Sequence, residues 1–130
     1  LHVAYAFIPL GFLAIAGAAF LPYSAAAAQH VWMAGAVGLM TLAVMTRASL
    51  GHAGRPLRAT PAITGLYLAL MVSVAARFIA GLAPGQDWLL HVAAGGWILA
   101  FGGFAVVYLP ILARPKLAKK APSGGRETAR

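Results

Sequence analysis

The chain has no cysteine and only two acidic residues, Asp87 and Glu127, in 130 positions. The first absence excludes disulfides, zinc–cysteine sites and iron–sulfur clusters within these residues. The second leaves no carboxylate pair for general acid–base work, since Asp87 falls in a turn and Glu127 in a terminal tail. No glycine-rich phosphate loop follows a strand, and no nucleophile–base pair is legible. Lysine and arginine are absent from residues 1–46 altogether. Charged residues total 9% and hydrophobic residues 62%, whereas a soluble globular domain carries roughly a quarter charged residues. The apolar character recurs along the whole sequence, so a single N-terminal signal peptide does not account for it.

What is present is a series of apolar runs. A membrane-spanning helix needs roughly 20 mostly apolar residues, and four windows qualify: about 2–21, 25–48, 61–82 and 88–113. The expected fold class is therefore all-α: four transmembrane helices in an up-down bundle over 1–113, followed by a basic, disordered tail over 114–130. The breaks carry turn chemistry. Pro22-Tyr23-Ser24 ends the first span, with Ser24 placed to cap the second. Thr60-Pro61 reads as an N-cap followed by proline at the first helical position. Ala83-Pro84-Gly85-Gln86-Asp87 reads as a tight turn, with Asp87 capping the fourth span. The chain opens at Leu1 and enters an apolar helix at once, which points to the C-terminal portion of a longer polytopic protein whose remaining helices would be its partners.

The basic residues fix an orientation. Arg47, Arg55 and Arg58 cluster between the second and third spans, and six of the ten basic residues lie from Arg114 onward. The other two turns have none. Basic segments on one side and neutral turns on the other are the pattern of cytoplasmic loops, so the C-terminus is expected in the cytoplasm. Tyr23 and Trp88 then lie near the outer interface. The net charge of +8 is expected to meet anionic lipid; no element presents a groove-reading surface, and nucleic acid is excluded as a partner.

Several residues interrupt the spans. Pro9 and Pro110 leave the carbonyls of Tyr5 and Val106 without helical donors, which neighbouring packing can tolerate as kinks. Gly95-Gly96 and Gly102-Gly103 give the fourth span a thin face, suited to close helix packing or to a flat cofactor. Arg77 falls inside the third span, more than a turn before its outer end. It either snorkels to the headgroups or turns inward to bind an anion or a propionate. His30 and His91 each stand within about two turns of the outer start of their helices. Neutral imidazole is a common haem or copper ligand, and the alternative is a pair of interfacial histidines bonded to water or backbone. Gly95, Ile98 and Gly102 follow His91 at helical spacing, and the small residues Ala34, Val37, Gly38 and Thr41 follow His30. His2 forms a His-x-x-Tyr turn with Tyr5, and His52 lies between Gly51 and Gly54. Met33, Met40 and Met45 are soft enough for copper but are ordinary packing material in an apolar helix.

The most specific stretch is Thr46-Arg-Ala-Ser-Leu-Gly-His-Ala-Gly-Arg-Pro-Leu57, a polar knot that cannot lie in hydrocarbon. With the preceding run from His30 it gives a histidine-led apolar helix and then Met-x-x-Arg-x-Ser-Leu-Gly-His-x-Gly-Arg. This closely resembles the NnrS family of bacterial inner-membrane proteins, as do the opening Leu1-His2-Val-Ala-Tyr5 and the position of Arg77. The resemblance covers most of residues 1–113. It implies a multi-pass haem- and copper-containing protein linked to nitric oxide metabolism and nitrosative stress. It carries forward His2, His30, His52, Arg47, Arg55, Arg77 and, more weakly, His91, without saying which bind metal. On this reading His30 and His91 are outer-side axial-ligand candidates, Arg77 would partner a propionate or anion, and Arg47, Arg55 and Arg58 would clamp anion, lipid or propionate. The alternative is a transporter or channel-like module in which Arg77 and the histidines line a polar pathway without metal.

Overall fold

The computed structural model describes residues 2–21, 25–83 and 85–113. The expectations placed on 22–24, on Pro84 and on the tail 114–130 lie outside these residues. Four helices and no strand make up the described part: α1 (His2–Gly17), α2 (Ala25–His52), α3 (Pro61–Leu82) and α4 (Trp88–Leu112). The last three are long and apolar enough to cross a membrane, while α1 is shorter and gives way to turns over residues 18–20. The all-α class expected from the apolar windows is the class observed.

The helix ends follow local chemistry in part. Thr60 is extended, and its hydroxyl accepts from the Ile63 N–H at 3.3 Å with Pro61 at the first helical position, as the sequence requires. Asp87 differs from expectation: it has helical backbone angles and makes no side-chain cap. The turn closes through backbone bonds from Leu89 to Gln86 and from Leu90 to Asp87, both 3.0 Å, while the Trp88 indole N–H donates to the Gln86 side chain at 2.9 Å. The second helix also runs past its expected end near Ala48. No breaker intervenes before Gly54, whose φ of 65° only glycine adopts readily, so Arg47 and His52 are helical and the loop begins at Ala53. Pro9 and Pro110 both lie inside continuous helices.

Helix α2 has an irregularity that its sequence does not announce. Ala25–His30 is α-helical, Val31–Gly38 is a π-helix, and Leu39–His52 returns to α geometry. A π stretch bonds i to i+5, so its turn is wider and residues four apart stay nearly aligned along the axis. Alpha1 packs directly on this widened stretch. Gly11 meets the backbone and Cβ of Trp32, and Gly35 meets the Phe7 ring, so a Cβ at either glycine would collide. The Phe12 and Trp32 rings lie 5.4 Å apart, tilted by 42°.

The most extensive seam joins α3 and α4. Leu89, Ala93, Gly96, Ala100, Phe104 and Tyr108 form the buried stripe of α4, spaced three and four apart. A Cβ at Gly96 would lie 2.7 Å from the Ala69 carbonyl, and one at Gly103 would strike Leu66. Gly95 and Gly102 face away from the seam, so the glycine pairs divide between a packing face and an open face. Ser73 strengthens the seam by donating its hydroxyl to the Ala93 carbonyl at 2.6 Å. Leu42 and Leu70 are fully buried beside Tyr108 in the main core. Outside that core, large apolar side chains remain uncovered: Val106 is 75% and Leu109 69% exposed. Such surfaces suit hydrocarbon rather than water.

Candidate functional site

The bundle is closed at one end and open at the other. Leu39–His52 approaches α4, but the backbone of Ala25–Gly38 does not, and α3 bridges the gap. The result is a cleft of about 890 Å³ walled by the first half of α2 and by α4, with α3 as its floor. Its volume falls within the range of small-molecule and cofactor sites, roughly 300–1,000 Å³. It lies at the end where α2 and α4 begin, away from the arginine motif.

The π-helix supplies one wall. His30, Ala34 and Gly38 form one row facing the cleft, and Met33, Val37 and Thr41 form a second. The widened turn keeps each row straight, so two lines of mostly small residues leave the space open. These include all four positions that follow His30 at helical spacing. The opposite wall carries Leu90, Ala94, Trp97 and Phe101. The Trp97 and Phe101 rings are 4.7 Å apart at 41°, and Trp97 lies close to Gly38.

His30 stands at the head of its row, partly buried. Its Nδ1 is 2.6 Å from the Ala26 carbonyl. A carbonyl only accepts, so Nδ1 carries the proton, and in the neutral ring Nε2 keeps a free lone pair. This backbone tether is the common support for a metal-bound imidazole. Arg77 reaches the same cleft from α3, half-buried. Its guanidinium has no hydrogen-bond or ion-pair partner among the described residues. It also lines a smaller cavity of about 240 Å³ between the starts of α2 and α4 and the end of α3, where Asp87 lies.

The other sequence candidates fall elsewhere. His91 has the same tether, with Nδ1 3.1 Å from the Asp87 carbonyl, but it is exposed and lines neither cavity. Its turn is offset from the face bearing Leu90, Ala94 and Trp97, toward the open face of Gly95, Ile98 and Gly102. The structure therefore unites His30 with Arg77 and not with His91. His2 is exposed on α1 and lines neither cavity. Arg47, His52 and Arg58 are exposed and Arg55 is partly buried at the opposite end. No group of three or more His, Cys, Asp or Glu side chains that could hold a metal occurs among the described residues.

Sequence reasoning did not single out Trp97 and Phe101 as cleft walls, nor Ser73 on its floor. It also passed over the buried hydroxyls near the closed end. Thr46 donates to the Leu42 carbonyl and lies 2.8 Å from the Tyr67 hydroxyl. The Tyr108 hydroxyl is buried with no partner among the described residues, while its ring stacks on Phe104 at 4.5 Å. Helical spacing between Thr46 and Tyr67 gives no signal, because the pairing crosses two helices.

An all-helical bundle with uncovered apolar side chains, three span-length helices and a cleft lined by both an arginine and a tethered histidine is that of a polytopic membrane protein. Within that class the chain belongs to the NnrS family: the family described as NnrS protein matches residues 1–116. No curated protein and no solved structure matches it.

Proposed function

We propose that the cleft is part of the haem site of an NnrS-family protein acting in nitric oxide metabolism or nitrosative stress protection at the bacterial inner membrane. The observation that carries this reading is the pairing of His30 and Arg77 in one apolar cleft. His30 offers a free Nε2 whose ring is fixed by the Ala26 carbonyl. Arg77 offers a guanidinium with no partner among the described residues, suited to a carboxylate. Trp97 and Phe101 supply flat apolar walls, and the cleft is large enough for a prosthetic group. Haem bound there supplies an iron centre able to take a small diatomic ligand. The chain's own residues position the group, balance its charge and keep the cleft apolar.

For copper, the fit is poor within these residues. His30 and Met33 both face the cleft, but no cluster of three ionisable ligands assembles among the described residues. A copper centre built on three or more such ligands would draw some of them from outside the described residues.

The cytoplasmic C-terminus is part of the same proposal and rests on the arginines at one end of the bundle. Arg47, Arg55 and Arg58 there are suited to anionic headgroups. His30→Ala in the protein purified from its native membrane is expected to reduce haem content and the Soret band. An unchanged spectrum and unchanged haem stoichiometry would remove His30 from the site. The competing transporter-like reading draws on Arg77 bordering two cavities; it predicts a colourless protein.

A further inference from the structure

The smaller cavity is chemically unlike the cleft beside it. Apart from Leu90, its apolar wall is built from Ala26, Ala27, Ala80, Gly81 and Gly85, which have little or no side chain to fill it. Gly85 holds the turn at a φ of 88°, a conformation that other residues rarely adopt. Gln86 and Asp87 add polar groups, and Arg77 borders both cavities. An arginine within a spanning helix is costly unless water or a counter-charge reaches it. Arg77 has no ion-pair or hydrogen-bond partner among the described residues. A cavity of about 240 Å³ has room for several waters at roughly 30 Å³ each.

We propose that this smaller cavity is a water-filled port through which a small inorganic anion reaches the Arg77 guanidinium from the adjacent aqueous phase. Along its side the cleft is bordered by uncovered apolar side chains such as Met33 and Val37. A hydrated anion is excluded from that side by the cost of shedding its water in hydrocarbon. Asp87 lies in the port with Arg77 without forming an ion pair. It weakens the attraction for anions and sets how strongly the port selects them.

The absence of cysteine from the chain allows a direct test in native membranes, with any thiols outside these residues replaced. Ala80→Cys places one thiol in the port wall, and Ala26→Cys places one on the facing helix as a second reporter. Each is treated from the side opposite the Arg47–Arg58 motif with anionic sulfonatoethyl methanethiosulfonate or cationic trimethylammonioethyl methanethiosulfonate. Rates are normalised to a free thiol. The anionic reagent is expected to react faster by roughly tenfold, a typical gain from electrostatic focusing in a cleft. Arg77→Gln should abolish that preference and Asp87→Asn should increase it. Nitrate in place of a bulky organic anion should slow the anionic reagent. Silence of both reporters, an unchanged preference in Arg77→Gln, or indifference to nitrate would overturn the proposal. A haem carboxylate on Arg77 would compete with the anion, so the preference is measured in haem-depleted and haem-loaded membranes and is expected to be larger in the former. Haem content is read separately by absorption, so failure of the port and failure of the haem assignment are distinguishable.

Discussion

Single hydroxyls near the closed end carry opposite energetic signs. Thr46 is bonded to both the Leu42 carbonyl and Tyr67, so Thr46→Val leaves the Tyr67 hydroxyl without this partner. The expected loss is about 1–3 kcal/mol, read as a lower Tm of the detergent-solubilised protein. Tyr108 is the converse case. Its hydroxyl is buried without a partner, and Tyr108→Phe keeps the ring stacked on Phe104 while removing the unsatisfied group. That variant is expected to be as stable as the original protein or more so. A large loss of stability would mean that the hydroxyl is satisfied by a group outside the described residues. Arg77 was legible in the sequence as an anomaly, because a charge stands out in an apolar run. Thr46, Tyr67 and Tyr108 were not, since hydroxyls are common in such helices and their pairing depends on packing between helices.

At the scale of the elements, the π stretch and the α3–α4 seam do different work. The seam is a packing device: Gly96 and Gly103 press on α3 while Gly95 and Gly102 face open space. Gly96→Leu should therefore lower Tm and folded yield strongly, whereas Gly95→Ala should leave both nearly unchanged. Equal effects would contradict the division of the two glycine pairs. The π stretch keeps two rows of small residues aligned along the cleft. Its existence was not legible, because Val31–Gly38 has the composition of an ordinary apolar helix. The small residues following His30 were legible at α spacing, since the fourfold steps from His30 and Met33 coincide with positions an α-helix also brings near one face. The end of α2 was misplaced for a related reason. Polarity from Arg47 onward signals departure from hydrocarbon, but it does not stop a helix; Gly54 and Pro56 do.

For the whole molecule, hydrophobic periodicity was of little use, because the helices are apolar on nearly all sides and their uncovered faces suit lipid or further helices. Run length and turn residues were sufficient to place α3 and α4. What they could not supply was rotation about each helix axis. That missing angle separates His30 from His91: both stand near the start of a helix, both tether Nδ1 to a backbone carbonyl, and only His30 faces the cleft. The bundle consequently brings His30 and Arg77 to one cavity at the end away from the family motif. The motif marks the closed end and the loop beyond α2.

The most direct measurement is haem content and visible absorption of His30→Ala and His91→Ala, prepared side by side from native membranes. The account predicts a reduced Soret band and haem-to-protein ratio for His30→Ala, with His91→Ala retaining both. Loss of haem in His91→Ala with retention in His30→Ala would contradict it.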